Sequence, residues 1–291
     1  IATASEHKGH IRYCTIERRT SFKPEDEAYG KWKECDVFNA PFFGATAYFF
    51  AEMLERVLQV PVGIINCSWG GTRVEAWMPR EILSTYKDLD ISEEGIMSIE
   101  TEWMRPLLMY NAMLYPIHNY TIKGFLWYQG CSSIDLGAEY AYRQAAMVSH
   151  WRELWGNNEL PFYFVEIAPF RHGDADATWA AVLREAQWAT MDLIPHCAGV
   201  GTNDLVQSYE IDNVHPANKQ DIGKRLAYLA LNHDYHFTSI KSDAPRLSRY
   251  EIVGNEVHCW FTNAEDGFSR WAEVEGFEII DEKGNAHKAT I

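Results

Sequence analysis

No stretch of the 291-residue sequence approaches the roughly 20 consecutive apolar residues that a membrane-spanning helix needs. Basic charge is scarce: 26 Lys and Arg stand against 41 Asp and Glu, a formal net charge of -15. Such a surface repels phosphate backbones and anionic lipid, which argues against nucleic acid and membrane as partners. The six cysteines, Cys14, Cys35, Cys67, Cys131, Cys197 and Cys259, form no C-x-x-C, so zinc-ribbon and thioredoxin-type readings fail. Their even number permits disulfides, but a domain of this size does not require them, and buried free thiols are expected. There is no internal repeat and no low-complexity tract. No G-x-S-x-G occurs, which counts against a lipase or protease of that type. No cluster has metal-ligand spacing, so neither metal nor cofactor is expected. The opening, Ile1-Ala2-Thr3-Ala4-Ser5-Glu6-His7, has no initiator Met and no basic-then-apolar leader and reads like an internal cut.

What is present suffices for a full core: 47% of residues are hydrophobic, enough for one large domain with a small appendage. Aromatics make up 14%, with 11 Trp. Part of that must be core; the excess suits a surface that stacks sugar rings.

From Phe38 the pattern turns helical, with Phe43, Ala47, Phe50, Leu54 and Val57 on one stripe. Val60 to Asn66 is a short, β-branched apolar run that predicts a buried strand, and it ends in the glycine-punctuated Cys67-Ser68-Trp69-Gly70-Gly71-Thr72. The alternation then repeats. Strands are predicted over 122–128, 161–168 and 197–201, and helices over the stripe Ala141 to Trp155, over 180–191, and after Pro216. Alternating strands and helices imply a mostly parallel sheet with helices on both faces, an α/β sandwich of three layers, α/β/α. Ligands of such sheets bind outside the carboxyl ends of the strands. Three segments stand just past strand ends: 68–72, 129–133 and 204–215. After about Tyr235 no helical period remains, and strands at 256–261 and 277–280 with a turn at 281–285 predict the start of a small C-terminal β unit. Residues 1–235 are therefore taken as the main domain and 236–291 as a β-rich segment.

Chemistry is expected on that rim. Asp212 stands three residues before His215 and could bend back to fix the imidazole tautomer, leaving the other nitrogen as a general base. A surface or capping histidine is the plainer alternative. Gly70-Gly71 lets backbone N–H groups approach a ligand closely, as an oxyanion hole requires, or makes only a tight turn. Gln129 could add a side-chain N–H to the same spot, or tie neighbouring loops together.

The block Val62-Gly63-Ile64-Ile65-Asn66-Cys67-Ser68-Trp69-Gly70-Gly71-Thr72-Arg73-Val74-Glu75-Ala76-Trp77 resembles one found in the sialate O-acetylesterases of the SGNH-type (GDSL-like) esterase superfamily. Gly124 to Gly130, Leu160 to Val165, Leu183 to Gln187 and Asp212 to Leu226 resemble further blocks, in the same order. The resemblance implies an SGNH-hydrolase-like fold and Ser-His-Asp ester hydrolysis without a cofactor. His215 is then the base and Asp212 its orienting acid, with Gly71 and Gln129 as oxyanion donors. Arg73 and Trp127 would face an acetylated sugar, Arg73 suiting a carboxylate, unless Arg73 pairs with Glu75 or another acid and the aromatics are core. The resemblance also implies an extracytoplasmic setting.

Two departures stand out. The family's nucleophile lies in a Gly-Gln-Ser-Asn block, and this sequence contains neither Gly-Gln-Ser nor Gly-Asp-Ser. Where the family reads Gln-Gly-Glu-Ser-Asn, this chain reads Gln129-Gly130-Cys131-Ser132-Ser133. Ser68 and Cys131 are the remaining, weaker nucleophile candidates. The expected function is deacetylation of sialic acid or a related glycan. Acetyl xylan is the alternative substrate, and an inactive fragment or glycan-binding relative is the non-enzymatic alternative.

Overall fold

The computed structural model describes residues 4–171, 178–265, 267–268, 274 and 277–291. The chain divides into two compact units, Ile1–Ser242 and Asp243–Ile291.

The first unit contains two three-stranded sheets. In one, β1 (Ile11–Ile16) pairs antiparallel with β2 (Gly30–Glu34) and parallel with β3 (Val62–Asn66). In the other, β4 (Phe125–Trp127), β5 (Phe162–Val165) and β6 (Cys197–Val200) run parallel in that order. The helices are α1 (Ala45–Leu58), the short α2 (Arg80–Leu83) and α3 (Glu93–Ser98), then α4 (Glu139–Leu154), α5 (Trp179–Leu193) and α6 (Lys219–His233).

β5 shows why the fold is layered. All four residues are buried, because each face of the strand meets helices. Phe162 and Phe164 point into a cluster with Trp151 of α4 and Leu183 of α5. Tyr163 and Val165 point the other way, against Leu226 and Ala227 of α6. The continuous apolar run Phe-Tyr-Phe-Val is what a doubly covered parallel strand needs. On the second face α1 and α6 pack backbone to backbone at Gly223, where a Cβ would lie 2.5 Å from the Thr46 carbonyl oxygen.

Both sheets share these helical layers. Val62 of β3 and Leu126 of β4 pack on the α1/α6 cluster, while Ile65 of β3 and Phe125 and Trp127 of β4 belong to the opposite one. Yet among the described residues no strand pairing joins β3 to β4. The outer edges of β3 and β4 are thus both without a strand partner among those residues, within one layered unit.

Several strands differ from the sequence reading. β1 and β2 carried no clear periodic signal; β1 alternates only partly, with Cys14 buried beside Tyr13. The last helix begins at Lys219, capped by the Asn218 side chain on the Asp221 N–H at 3.1 Å, and not at Pro216, which precedes it by three residues. An Asn that can cap outcompetes a Pro that merely tolerates the first turn.

The second unit holds two antiparallel hairpins, β7 (Arg246–Val253) with β8 (Glu256–Thr262), and β9 (Glu278–Ile280) with β10 (Ala286–Lys288). The predicted turn at 281–285 is closed by Asp281, whose carboxylate accepts the N–H groups of Lys283 and Asn285 at 2.9 and 2.8 Å. Much of the stretch between β8 and β9 lies outside the described residues.

Candidate active site

Hydrogen bonds bring the loops after β3, β4, β5 and β6 to one rim. The Gln129 amide, after β4, donates to the Thr72 carbonyl after β3, at 3.0 Å. The Ser133 hydroxyl accepts the Val74 N–H at 3.2 Å, and Arg73 donates to the Ser132 carbonyl at 3.0 Å. Gln187, a fully buried residue of α5, donates to the Gln129 carbonyl and accepts the Ile167 N–H, tying the loops after β4 and β5. Thr202, after β6, donates to the Ile167 carbonyl at 3.3 Å. From α6, Arg225 reaches the Gly201 carbonyl at 2.8 Å and Lys219 the Tyr128 hydroxyl at 3.3 Å. Every strand-end loop of the core is thus bonded to a neighbour, and the 212–215 segment lies on the stretch joining β6 to α6.

Gly71 is held in a conformation only glycine tolerates. Its φ is +85°, and a Cβ there would lie 2.6 Å from the Trp103 indole nitrogen. Its backbone N–H donates to no acceptor among the described residues. An unpaired N–H at a strand end is the raw material of an oxyanion hole.

Gln129, by contrast, is fully engaged. One amide N–H goes to Thr72, another to the Ser133 hydroxyl at 3.0 Å, and the amide oxygen accepts the Tyr140 hydroxyl at 2.8 Å. This corrects the expectation that it offers a donor to a ligand: in this arrangement its side chain clamps the Gly71-Thr72 turn to the loop after β4. Ser133, fully buried, is the partner of that clamp at the position where the resembling block reads asparagine. Gly130, at φ +155° and against the Ile167 methyl, lets the chain turn tightly enough for Gln129 and Ser133 to meet.

For Arg73 and Trp127 the structure shows the alternative to sugar contact, an arginine paired with acids and a core aromatic. Arg73 binds Asp135 through both terminal nitrogens, at 2.7 and 3.1 Å, and lies 3.4 Å from Glu75. Glu75 in turn meets Arg143 at 2.6 Å. The guanidinium is therefore spent on an internal ion network. Trp127 is 8% exposed, edge-on to Trp77 and Trp151, with its indole N–H on the Tyr140 hydroxyl at 3.1 Å. It is core, and its neighbour Tyr128 is the exposed aromatic on the rim.

Asp212 and His215 lie on the same loop, both exposed. The Asp212 carboxylate faces Arg171 at 3.2 Å, not the imidazole. The His215 ring has no hydrogen-bond partner among the described residues; its backbone N–H is held by the Asn213 side chain at 3.0 Å. A nearby guanidinium competes successfully for an exposed carboxylate, so the Asp-His bond is not made in this state. Catalytic hydrogen bonds are often unformed before substrate arrives.

The loop has an organiser that the sequence did not reveal. Glu210, 7% exposed, accepts the N–H of Gln207 through one oxygen at 3.1 Å and that of Ala217 through the other at 2.9 Å. The Ala217 and Gln207 N–H groups hold its carboxyl below the ordinary range. Ser68 donates to the Asn66 side chain at 2.7 Å and meets no base. Burial pushes the thiols of Cys67 and Cys131 up, which keeps both in the unreactive protonated form.

The same layered α/β architecture is found in a carbohydrate acetylesterase. The structure of such an enzyme from Xanthomonas citri superposes with a TM-score of 0.85 at 30% identity, covering 99% of this chain and 64% of that one. The family model described as carbohydrate esterase, sialic acid-specific acetylesterase matches residues 2–232, and the chain belongs to that family. The sialate O-acetylesterase of Homo sapiens is 26% identical over 231 residues, 74% of this chain and 44% of that protein. The enzyme of Rattus norvegicus is 25% identical over 260 residues, 75% of this chain and 48% of that protein. The chain thus spans about half the length of the curated relatives it matches. Among its described residues no helix is long and apolar enough to cross a membrane.

Proposed function

We propose that this chain supplies the base-bearing and donor-bearing loops of an esterase that removes O-acetyl groups from sialic acid or a related glycan. The observation that carries the reading is the set of hydrogen bonds joining four strand-end loops on one rim, two of which carry a Gly71 N–H and a His215 ring that have no partner among the described residues. His215 takes the proton of an attacking serine hydroxyl. The serine oxygen bonds the acetyl carbonyl carbon, and the charge that develops on the carbonyl oxygen is met by the Gly71 N–H. Collapse expels the sugar oxygen, which takes the proton from His215. Water, deprotonated by the same imidazole, then adds to the acetyl carbon, the bond to the serine oxygen breaks, and the serine takes the proton back as acetate leaves. Asp212 turns from Arg171 to orient the ring, and Gln129 keeps the Gly71 turn in place.

The serine of the family's Gly-Gln-Ser-Asn block has no counterpart in this sequence. A strand carrying it that paired with the open edges of β3 and β4, running parallel to them, would end on the rim where the loops meet. Acetylated xylan is the alternative substrate. An extracytoplasmic setting fits a glycan substrate.

Acetate release from O-acetylated sialic acid tests the reading, with a form of the protein extended to the length of its relatives. His215→Ala should lower kcat by about a thousandfold or more. Turnover unaffected by that change overturns it. A glycan-binding relative without catalysis is the second reading, favoured by the Asp212–Arg171 pair.

A further inference from the structure

The Arg73 guanidinium is bound to Asp135 and Glu75, so the cation that sequence assigned to an acidic sugar is unavailable to one. The rim holds other cations. Arg171 pairs with Asp212, Arg225 with Asp204 and Lys224 with Asp221. Arg184 is held by the Asn203 side-chain oxygen at 2.7 Å. Lys219 differs from these.

Lys219 is the first residue of α6, four positions past His215, and it is half-buried. Among the described residues no carboxylate lies within ion-pair distance of it. Its ammonium sits 4.8 Å from the centre of the Tyr128 ring and donates to the Tyr128 hydroxyl at 3.3 Å. Tyr128 directly precedes Gln129, the residue bonded to the Gly71-Thr72 turn. The lysine therefore spans from the base-bearing loop to the donor-bearing loops. Burial lowers its pKa, the cost of a desolvated cation that a nearby aromatic face offsets only in part. The nearby Glu210 carboxylate is committed to two backbone N–H groups. The neighbouring Cys131 thiol, raised by burial, offers no competing anion.

We propose that Lys219, with the Tyr128 hydroxyl beside it, is the specificity-determining residue that binds the carboxylate of an acidic sugar. The assignment rests on the esterase reading above and chooses within it, favouring a carboxylated sugar over neutral xylan. A carboxylate placed there gains a charge-assisted hydrogen bond to a half-buried cation that the Glu210 charge stabilises only from beyond ion-pair distance, and the positive end of a 15-residue helix lies behind it.

Titration calorimetry of this chain with N-acetylneuraminic acid and with its methyl ester tests the assignment, because the two differ only at the carboxyl group, which the ester makes neutral. The acid should bind about tenfold more tightly than the ester, with the preference fading at high salt. Lys219→Met should abolish the preference and leave ester affinity unchanged, and Lys219→Arg should keep most of it. Equal affinities for acid and ester, no binding of either, or a preference that survives Lys219→Met each overturn the proposal. Acetate release from a neutral acetylated sugar by the extended form reports separately on the esterase reading. Release without acid preference retains the esterase and removes the role of Lys219.

Discussion

Glu210 accepts the backbone N–H of Ala217 at 2.9 Å, across a loop that carries Asp212 and His215 between them. Its second oxygen accepts the Gln207 N–H at 3.1 Å, so one buried carboxylate staples both ends of the segment that presents the imidazole.

Glu210→Ala should loosen that segment without unfolding the domain. Amide exchange at Gln207 and Ala217 should rise strongly while that of β5 stays unchanged. Glu210→Gln, which retains one acceptor oxygen, should be milder. The pH dependence follows from the lowered carboxyl pKa. The bonds strengthen the loop above the unfolded value near pH 4.3, and their contribution is lost as pH falls through the lower folded value. Local exchange measured between pH 7 and pH 3 should show this loss, and Glu210→Gln should flatten it.

In the proposed mechanism Asp212 leaves Arg171 to orient His215. Asp212→Asn in the form extended to the length of its relatives should then lower kcat by about a hundredfold to ten-thousandfold. Arg171→Gln, which frees the carboxylate, should leave kcat unchanged or raise it. Steady-state kinetics of the two variants separates an orienting acid from a surface ion pair.

Gly71→Ala meets two obstacles, a positive φ and the Trp103 indole 2.6 Å from the new Cβ. It should lower stability by about 1–3 kcal/mol. Adding Trp103→Ala should recover only the steric part. Thermal melts of the single and double variants resolve the two contributions.

Gly223→Ala drives a methyl group into the Thr46 carbonyl and wedges α1 from α6. Overpacking of this kind costs about 1–3 kcal/mol, and chemical denaturation should show it as a lower midpoint with little change in slope.

The β-α alternation of the first unit was legible because β3, β5 and β6 are short apolar runs and because α4 and α5 keep a clear stripe. The ribbon of β1 and β2 was not. β2 is exposed throughout, and without a buried face it leaves no period to read. The rim was legible as loops following strands, and Gly71 as a glycine pair. The Arg73–Glu75 pair, two residues apart, and a loop-tying role for Gln129 were legible as alternatives; the more distant partners were not. Gln129, Arg73 and Trp127 each carry a group that suits a ligand, but Thr72, Asp135 and Tyr140 take those groups, and none is adjacent in sequence. Glu210 was missed because its partners are backbone N–H groups, which leave no mark in composition.

The proposed mechanism requires the Gly71 N–H and the His215 ring to face one acetyl-sized site. A crystal structure of the protein with acetate, the product, reads this out. One acetate oxygen is expected within about 3 Å of the Gly71 nitrogen, with the His215 imidazole on the same side and Asp212 turned toward it. Acetate bound away from Gly71, or His215 still unpaired and facing solvent beside it, would rule that mechanism out.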